Sequence, residues 1–72
     1  MQLSMIPNEQ NIRAYGEKVH EVMRSLPECT FEDLQRLCQL KDVELCFTLI
    51  FLLKEKKIEQ EYNKGYVYYK LK

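Results

Sequence analysis

The stretch that decides the fold is residues 43–53, Val-Glu-Leu-Cys-Phe-Thr-Leu-Ile-Phe-Leu-Leu, a nearly continuous apolar segment. Asp42 precedes it, and Glu44 adds a second acid where the positive end of a helix dipole would lie. The run Lys54-Glu-Lys-Lys57 follows directly, and the apolar segment is shorter than the roughly 20 residues that span a bilayer. The segment therefore predicts a helix capped by Asp42 in a protein that does not cross a membrane.

Both sides of this helix are apolar. At 100° per residue, one wide face has no polar member, and we assign it to the core. Its residues are Val43, Cys46, Leu49, Ile50 and Leu53. The opposite side is centred on Glu44, Thr48 and Glu55 and is flanked by Phe47, Phe51 and Leu52. These flanking residues exceed what the core face needs, which indicates a second use for this side.

Two further helices are predicted upstream. Apolar residues recur at helical spacing from about Asn8 to Ser25, and Leu26-Pro27 ends that pattern. Gly16 lies inside this first helix, where it marks either a close approach by another backbone or a glycine that the helix tolerates. A second helix begins at Thr30-Phe-Glu-Asp33, where the Thr30 hydroxyl can cap, and runs to about Leu40.

The period changes after Lys57. Residues 58–62 and 66–71 read as two strands, and Asn63-Lys-Gly65 supplies turn chemistry between them. Helix, short extended link, helix, helix and hairpin is the element order of a winged helix. We therefore predict an α+β fold with one small winged-helix domain at residues 8–72, preceded by an N-terminal arm at residues 1–7.

Composition sets the limits on size and partners. A chain of 72 residues makes one domain with a thin core. It has 11 Lys and Arg against 11 Asp and Glu, so no net charge attracts nucleic acid or an anionic membrane. Its three Cys cannot all pair with one another, and no secretory signal pattern precedes them. These features favour a cytoplasmic protein, or a nuclear one in a eukaryote, with reduced thiols.

Residues 43–61 resemble two winged-helix groups. One is the C-terminal domain of kleisins, in which a similar apolar helix leads through a Lys-rich end into a strand. The other is the small middle component of bacterial ABC three-component systems, whose first helix follows an opening like Met5-Ile-Pro-Asn8 and whose strand begins like Lys57-Ile-Glu59. Both resemblances imply a small accessory subunit that docks on an ABC-type or structural-maintenance-of-chromosomes (SMC) ATPase.

Our leading hypothesis is a protein-interaction module. We predict that it binds a partner protein, either such an ATPase or a second copy of itself, through Phe47, Thr48, Phe51 and Leu52 of the third helix. The alternative for these residues is that the hairpin or the arm covers them as ordinary core. Self-association through the last strand, which ends the chain and would form a sheet edge, is a further alternative.

The competing hypothesis is a DNA-binding regulator. It would contact phosphates through Lys54, Lys56, Lys57 and Lys64, at the end of the third helix and the wing tip. The third helix itself lacks the side chains that make bidentate contacts with bases, which argues against direct reading of the major groove.

Catalytic and metal-binding chemistry finds no support in the sequence. One His, two Gly and three Cys at positions 29, 38 and 46 provide no phosphate loop and no zinc spacing. We expect Cys38 and Cys46 to be small buried residues and Cys29 to be partly exposed. We therefore predict a protein with no enzymatic activity, metal, cofactor or small-molecule substrate.

Overall fold

The computed structural model describes residues 8–72 and confirms an α+β fold of three helices and a C-terminal antiparallel hairpin, consistent with a winged-helix layout. The predicted arm, residues 1–7, lies outside the described residues. The elements are α1 (Glu9–Arg24), α2 (Phe31–Cys38), α3 (Asp42–Lys54), β1 (Ile58–Asn63) and β2 (Tyr66–Leu71).

Each helix begins at a residue that takes part in a capping hydrogen bond. The Asn8 side chain accepts from the Asn11 amide at 2.8 Å and starts α1. Thr30 and Asp33 form the predicted capping box at α2, with side-chain to backbone distances of 3.1 and 3.2 Å. At α3 the prediction was wrong by one residue, because the cap is Lys41, whose amide donates to Glu44 at 2.8 Å.

The hairpin closes through a two-residue turn. Lys64 and Gly65 both adopt positive φ, 53° and 86°, as the type I′ turn between tightly paired strands requires. The register pairs Ile58 with Leu71 and Asn63 with Tyr66.

The link between α1 and α2 joins the sheet at a single residue. Cys29 exchanges two backbone hydrogen bonds with Tyr69, at 2.9 and 2.7 Å, on the side of β2 away from β1. β2 is therefore paired on both sides at Tyr69, whereas the rest of its outer edge is unpaired within the described residues, and self-association through the last strand stays a prediction. The fully open edge among the described residues belongs to β1.

The core lies where the three helices meet the base of the hairpin. The three helices and β1 contribute buried residues to it, Tyr69 and Leu71 of β2 pack half-buried against it, and leucines dominate its centre. The buried apolar residues are Val19, Met23, Cys29, Leu34, Cys38, Leu40, Leu45, Leu49, Leu52 and Ile58. Only the base of β1 enters this core, because its residues from Gln60 to Asn63 are exposed.

Helices α1 and α3 approach each other at Gly16. A Cβ atom placed on Gly16 would lie 3.4 Å from Leu52 Cδ2 and 3.6 Å from the Phe51 ring, and these nearest atoms belong to side chains. The backbone of Gly16 is helical without positive φ. The contact therefore fits a glycine that the helix tolerates, and no second backbone requires it.

Candidate protein interface

Helix α3 buries one of its two apolar sides. Leu45, Thr48, Leu49 and Leu52 follow one another at spacings of three, one and three residues, and each is at most 3% exposed. We call these four residues the inner face. This face packs against α1, α2 and the base of β1, so it closes the core from one side.

The other apolar side of α3 faces solvent, and we call it the outer face. It consists of Val43, Cys46, Phe47, Ile50 and Leu53. The side chain of Ile50 is 58% exposed and that of Phe47 is 38% exposed, whereas Val43 and Leu53 are half-buried. No residue of this face carries a charge or an amide, so it is a continuous apolar strip at the position of a reading helix.

The predicted interface was wrong in two of its four residues. Thr48 and Leu52 are buried on the inner face, with exposures of 0% and 2%. Of the predicted core residues, Ile50 and Cys46 are exposed, and only Leu49 is buried. The helix is therefore rotated about its axis relative to the prediction.

Two polar residues explain why the sequence predicted the wrong orientation. The Thr48 hydroxyl is satisfied inside the helix, because it donates to the Glu44 carbonyl at 2.7 Å and so needs no water. Glu44 turns toward α1, where its carboxylate accepts from the Tyr15 hydroxyl at 3.2 Å. Burial and this carboxylate both raise the pKa of Tyr15. Neither residue marks a solvent face, although their polarity predicted one.

The two phenylalanines of the predicted interface lie in different places. Phe47 belongs to the outer face. Phe51 is half-buried against Gly16 of α1, and the Arg13 guanidinium carbon lies 6.0 Å from the centre of its ring. Of the four predicted residues, Phe47 alone remains on the exposed apolar strip.

The four lysines of the competing hypothesis lie on three separate parts of the chain. Lys54 ends α3, and Lys64 forms the tip of the hairpin. Lys56 and Lys57 lie in the turn between α3 and β1, where they line a cleft beside α1. Only these two are brought together.

Two of the three thiols differ from their predicted exposures, and the predicted burial of Cys38 is confirmed. Cys29 and Cys38 are fully buried, and burial raises the pKa of both thiols. Cys46 lies exposed on the outer face. The expectations for Cys29 and Cys46 were therefore wrong. Cys29 is buried where its backbone pairs with Tyr69, and the orientation of α3 places Cys46 on the exposed side. No three possible metal ligands cluster within residues 8–72.

No protein-family model and no curated protein matches the chain. None of the helices between residues 8 and 72 combines the length and the apolar character needed to cross a bilayer. The exposure of Ile50 and Cys46 was not predicted from the sequence. Their signal was present in the spacing 43, 46, 47, 50 and 53, but an equally apolar opposite side obscured it.

Proposed function

We propose that the chain is a non-enzymatic winged-helix module that binds a partner protein through the outer face of α3. The observation that carries this proposal is the exposure of Ile50 and Phe47 within a strip that has no charged member. An uncharged apolar centre with a polar rim is the usual composition of a protein interface. Asp42 and Lys54, at the two ends of α3, supply that rim.

Binding would be favoured because it removes these apolar side chains from water. Removing one large aliphatic or aromatic side chain from water contributes roughly 1.5–3 kcal/mol when burial is complete, and less when it is partial as here. Ile50 at 58% exposure is the outer-face residue with most to gain. Leu37 of α2, 47% exposed, is a further apolar residue at the surface.

The partner class follows from the resemblances to kleisins and to the middle component of ABC three-component systems. In both groups a small winged helix docks on an ATPase, so an ABC-type or SMC-type ATPase is the partner we favour. A second copy of this chain has the same apolar chemistry and is the other candidate. Either partner would need a complementary apolar patch without charged residues at its centre.

DNA reading is less well supported by the same surface. The outer face has no Arg, Lys, Asn or Gln to contact base edges. Lys70, which the hairpin adds to the basic residues, donates to Glu61 at 3.1 Å, and this contact raises the pKa of Lys70. The remaining candidates for phosphate contact are Lys54, Lys56, Lys57 and Lys64, and this reading stays the alternative.

A pair of matched substitutions tests the proposal. Ile50→Glu places a charge at the centre of the outer face, whereas Tyr62→Glu places one on β1 at a side chain that is 76% exposed. Light scattering after size-exclusion chromatography then gives the mass of each variant, alone and with ABC-type and SMC-type ATPases of the source organism. We expect Ile50→Glu to weaken the complex by about tenfold or more, and Tyr62→Glu to leave it unchanged.

Two results would contradict the proposal. One is equal complex formation by Ile50→Glu and the native chain. The other is a native chain that remains monomeric with every such ATPase and changes mass only with duplex DNA at low salt. The second result would favour phosphate contact by the four lysines.

A further inference from the structure

A second feature, separate from the outer face, is a cleft of about 590 Å³ between α1 and the end of α3. We call it the α1–α3 cleft. Gly16, Phe51 and Leu52 form its apolar floor, and Arg13, Lys56, Lys57 and Lys72 lie around it. Three separate segments of the chain thus bring four cations around an apolar floor.

The charges in the cleft are unequally neutralised. Arg13 pairs with Glu9 at 3.4 Å, and Glu21 pairs with Arg24 at 3.6 Å. Within residues 8–72, no acid forms an ion pair with Lys56, Lys57 or Lys72. Glu17 is the remaining acid of the lining. The cleft therefore has an excess of positive charge in a chain whose formal net charge is zero.

Gly16 lies buried in the floor of the cleft. Its helical backbone does not require glycine, and a glycine in a helix interior makes the helix less stable than an alanine would. An alanine Cβ would make ordinary contacts with Leu52 and Phe51. The fold would thus accept a methyl group here. Because Gly16 and Leu52 are buried, the half-buried Phe51 is the floor residue that a ligand can reach.

We infer that the α1–α3 cleft binds an acidic peptide segment of a partner protein, with an apolar side chain of that segment against the Phe51 ring of the floor. Carboxylates of the segment pair with Lys56, Lys57 and Lys72. Charge complementarity and the apolar floor together select this occupant. A nucleic acid fits less well, because Glu17 on the α1 side would face a continuous line of phosphates.

The test uses the whole chain labelled with ¹⁵N and a defined probe. The probe is a short synthetic peptide in which Glu alternates with Leu and Phe, and its Gln-for-Glu counterpart is the neutral control. We expect the acidic probe to shift the amide resonances of Gly16, Phe51 and Lys57, and its affinity to fall as salt is added. The neutral peptide should bind about tenfold more weakly.

Matched charge reversals distinguish binding in the cleft from nonspecific electrostatic attraction of the probe to the protein. Lys57→Glu with Lys72→Glu changes two cleft residues, and Lys18→Glu with Lys64→Glu makes the same charge change outside the cleft lining. We expect the first pair to weaken probe binding about tenfold and the second to change it less than about twofold. Equal losses for the two pairs would overturn the inference.

Gly16→Ala tests whether the probe reaches beneath the side chains of the floor. We expect the melting temperature to rise by about 4 °C while probe binding changes less than about twofold, because the added methyl group packs against Leu52 and Phe51 below the surface. A large loss of probe binding by this more stable variant would place the probe on Gly16 and contradict contact with Phe51.

Two further outcomes decide between this site and others. Ile50→Glu should leave probe binding unchanged, so failure of the outer face as an interface would not be confused with failure of the cleft. A duplex DNA that shifts the cleft resonances where the acidic peptide does not would overturn the peptide assignment.

Discussion

The inner and outer faces of α3 are almost equally apolar, yet only one is buried. Leu45 on the inner face is 0% exposed, and Ile50 on the outer face is 58% exposed, although the two side chains have nearly the same size. The difference arises from what the rest of the chain can cover. Helices α1 and α2 and the base of β1 all lie on the inner side, and no described element covers Phe47 and Ile50 in the middle of the outer face.

This comparison shows that apolar character alone does not identify a core face. A small domain has enough partner surface to bury one side of a helix, and a second apolar side then remains at the surface. That surface strip is the feature from which we infer a partner.

The largest difference between the faces should appear in stability. Leu45→Ala removes a fully buried side chain and should lower the free energy of unfolding by about 2–5 kcal/mol. Ile50→Ala removes an exposed one and should change it by less than about 0.5 kcal/mol. Urea unfolding followed by circular dichroism measures both, and similar losses would mean that the faces are assigned incorrectly.

Thiol reactivity gives a second contrast without changing the sequence. Cys46 is exposed on the outer face, whereas Cys38 and Cys29 are buried and have raised pKa values. An aromatic disulfide reagent at pH 8 should therefore react quickly with one thiol and with the other two only as the chain unfolds. Modification of Cys46 should also block partner binding. Two or more fast thiols would contradict the burial described here.

The contact between Tyr15 of α1 and Glu44 of α3 should make the stability of the fold depend on pH in the alkaline range. The folded state favours neutral Tyr15, whose pKa lies above its ordinary value of 10.0, so this stabilisation is complete below pH 10. As pH rises from 10 through the folded pKa, the unfolded chain loses the proton first and stability falls. Tyr15→Phe should reduce this dependence in thermal melts from pH 9 to 11. An unchanged profile would argue against the contact with Glu44.

The smallest effect is expected at Thr48. Thr48→Val keeps the shape of the buried side chain and removes only the hydroxyl that donates to Glu44. Because the helical amide still bonds that carbonyl, stability should change by about 1 kcal/mol or less, and partner binding should not change. Loss of partner binding at unchanged stability would indicate that Thr48 contacts the partner.

Much of the fold could be predicted from local patterns. Pro27, the Thr30 capping box and the Lys64-Gly65 turn each act over a few residues, so their signals are readable in the sequence. The three helices and the hairpin followed from them and are confirmed. The pairing of Cys29 with Tyr69 was missed, because these residues lie far apart in the chain and a bridge of a single residue pair leaves no pattern in the sequence.

The candidate site was predicted less well for a physical reason. The orientation of α3 depends on which side finds partners, and Thr48 and Glu44 satisfy their polar groups through contacts that periodicity does not show. Phe47 was placed correctly on the exposed side, whereas Ile50 and Cys46 were assigned to the core. The α1–α3 cleft is lined by α1, the turn after α3 and Lys72, which are distant from one another in the sequence. It could therefore be recognised only in the folded structure.

The most direct test of the outer face is a map of amide resonances in the ¹⁵N-labelled chain. Spectra would be compared alone at rising concentration, with an ABC-type or SMC-type ATPase, and with duplex DNA. Our account predicts that the largest changes occur at Cys46, Phe47 and Ile50, with the ATPase or with increasing concentration of the chain. Changes confined to Lys54 and Lys64 on adding DNA, with the outer face unaffected in every sample, would contradict it.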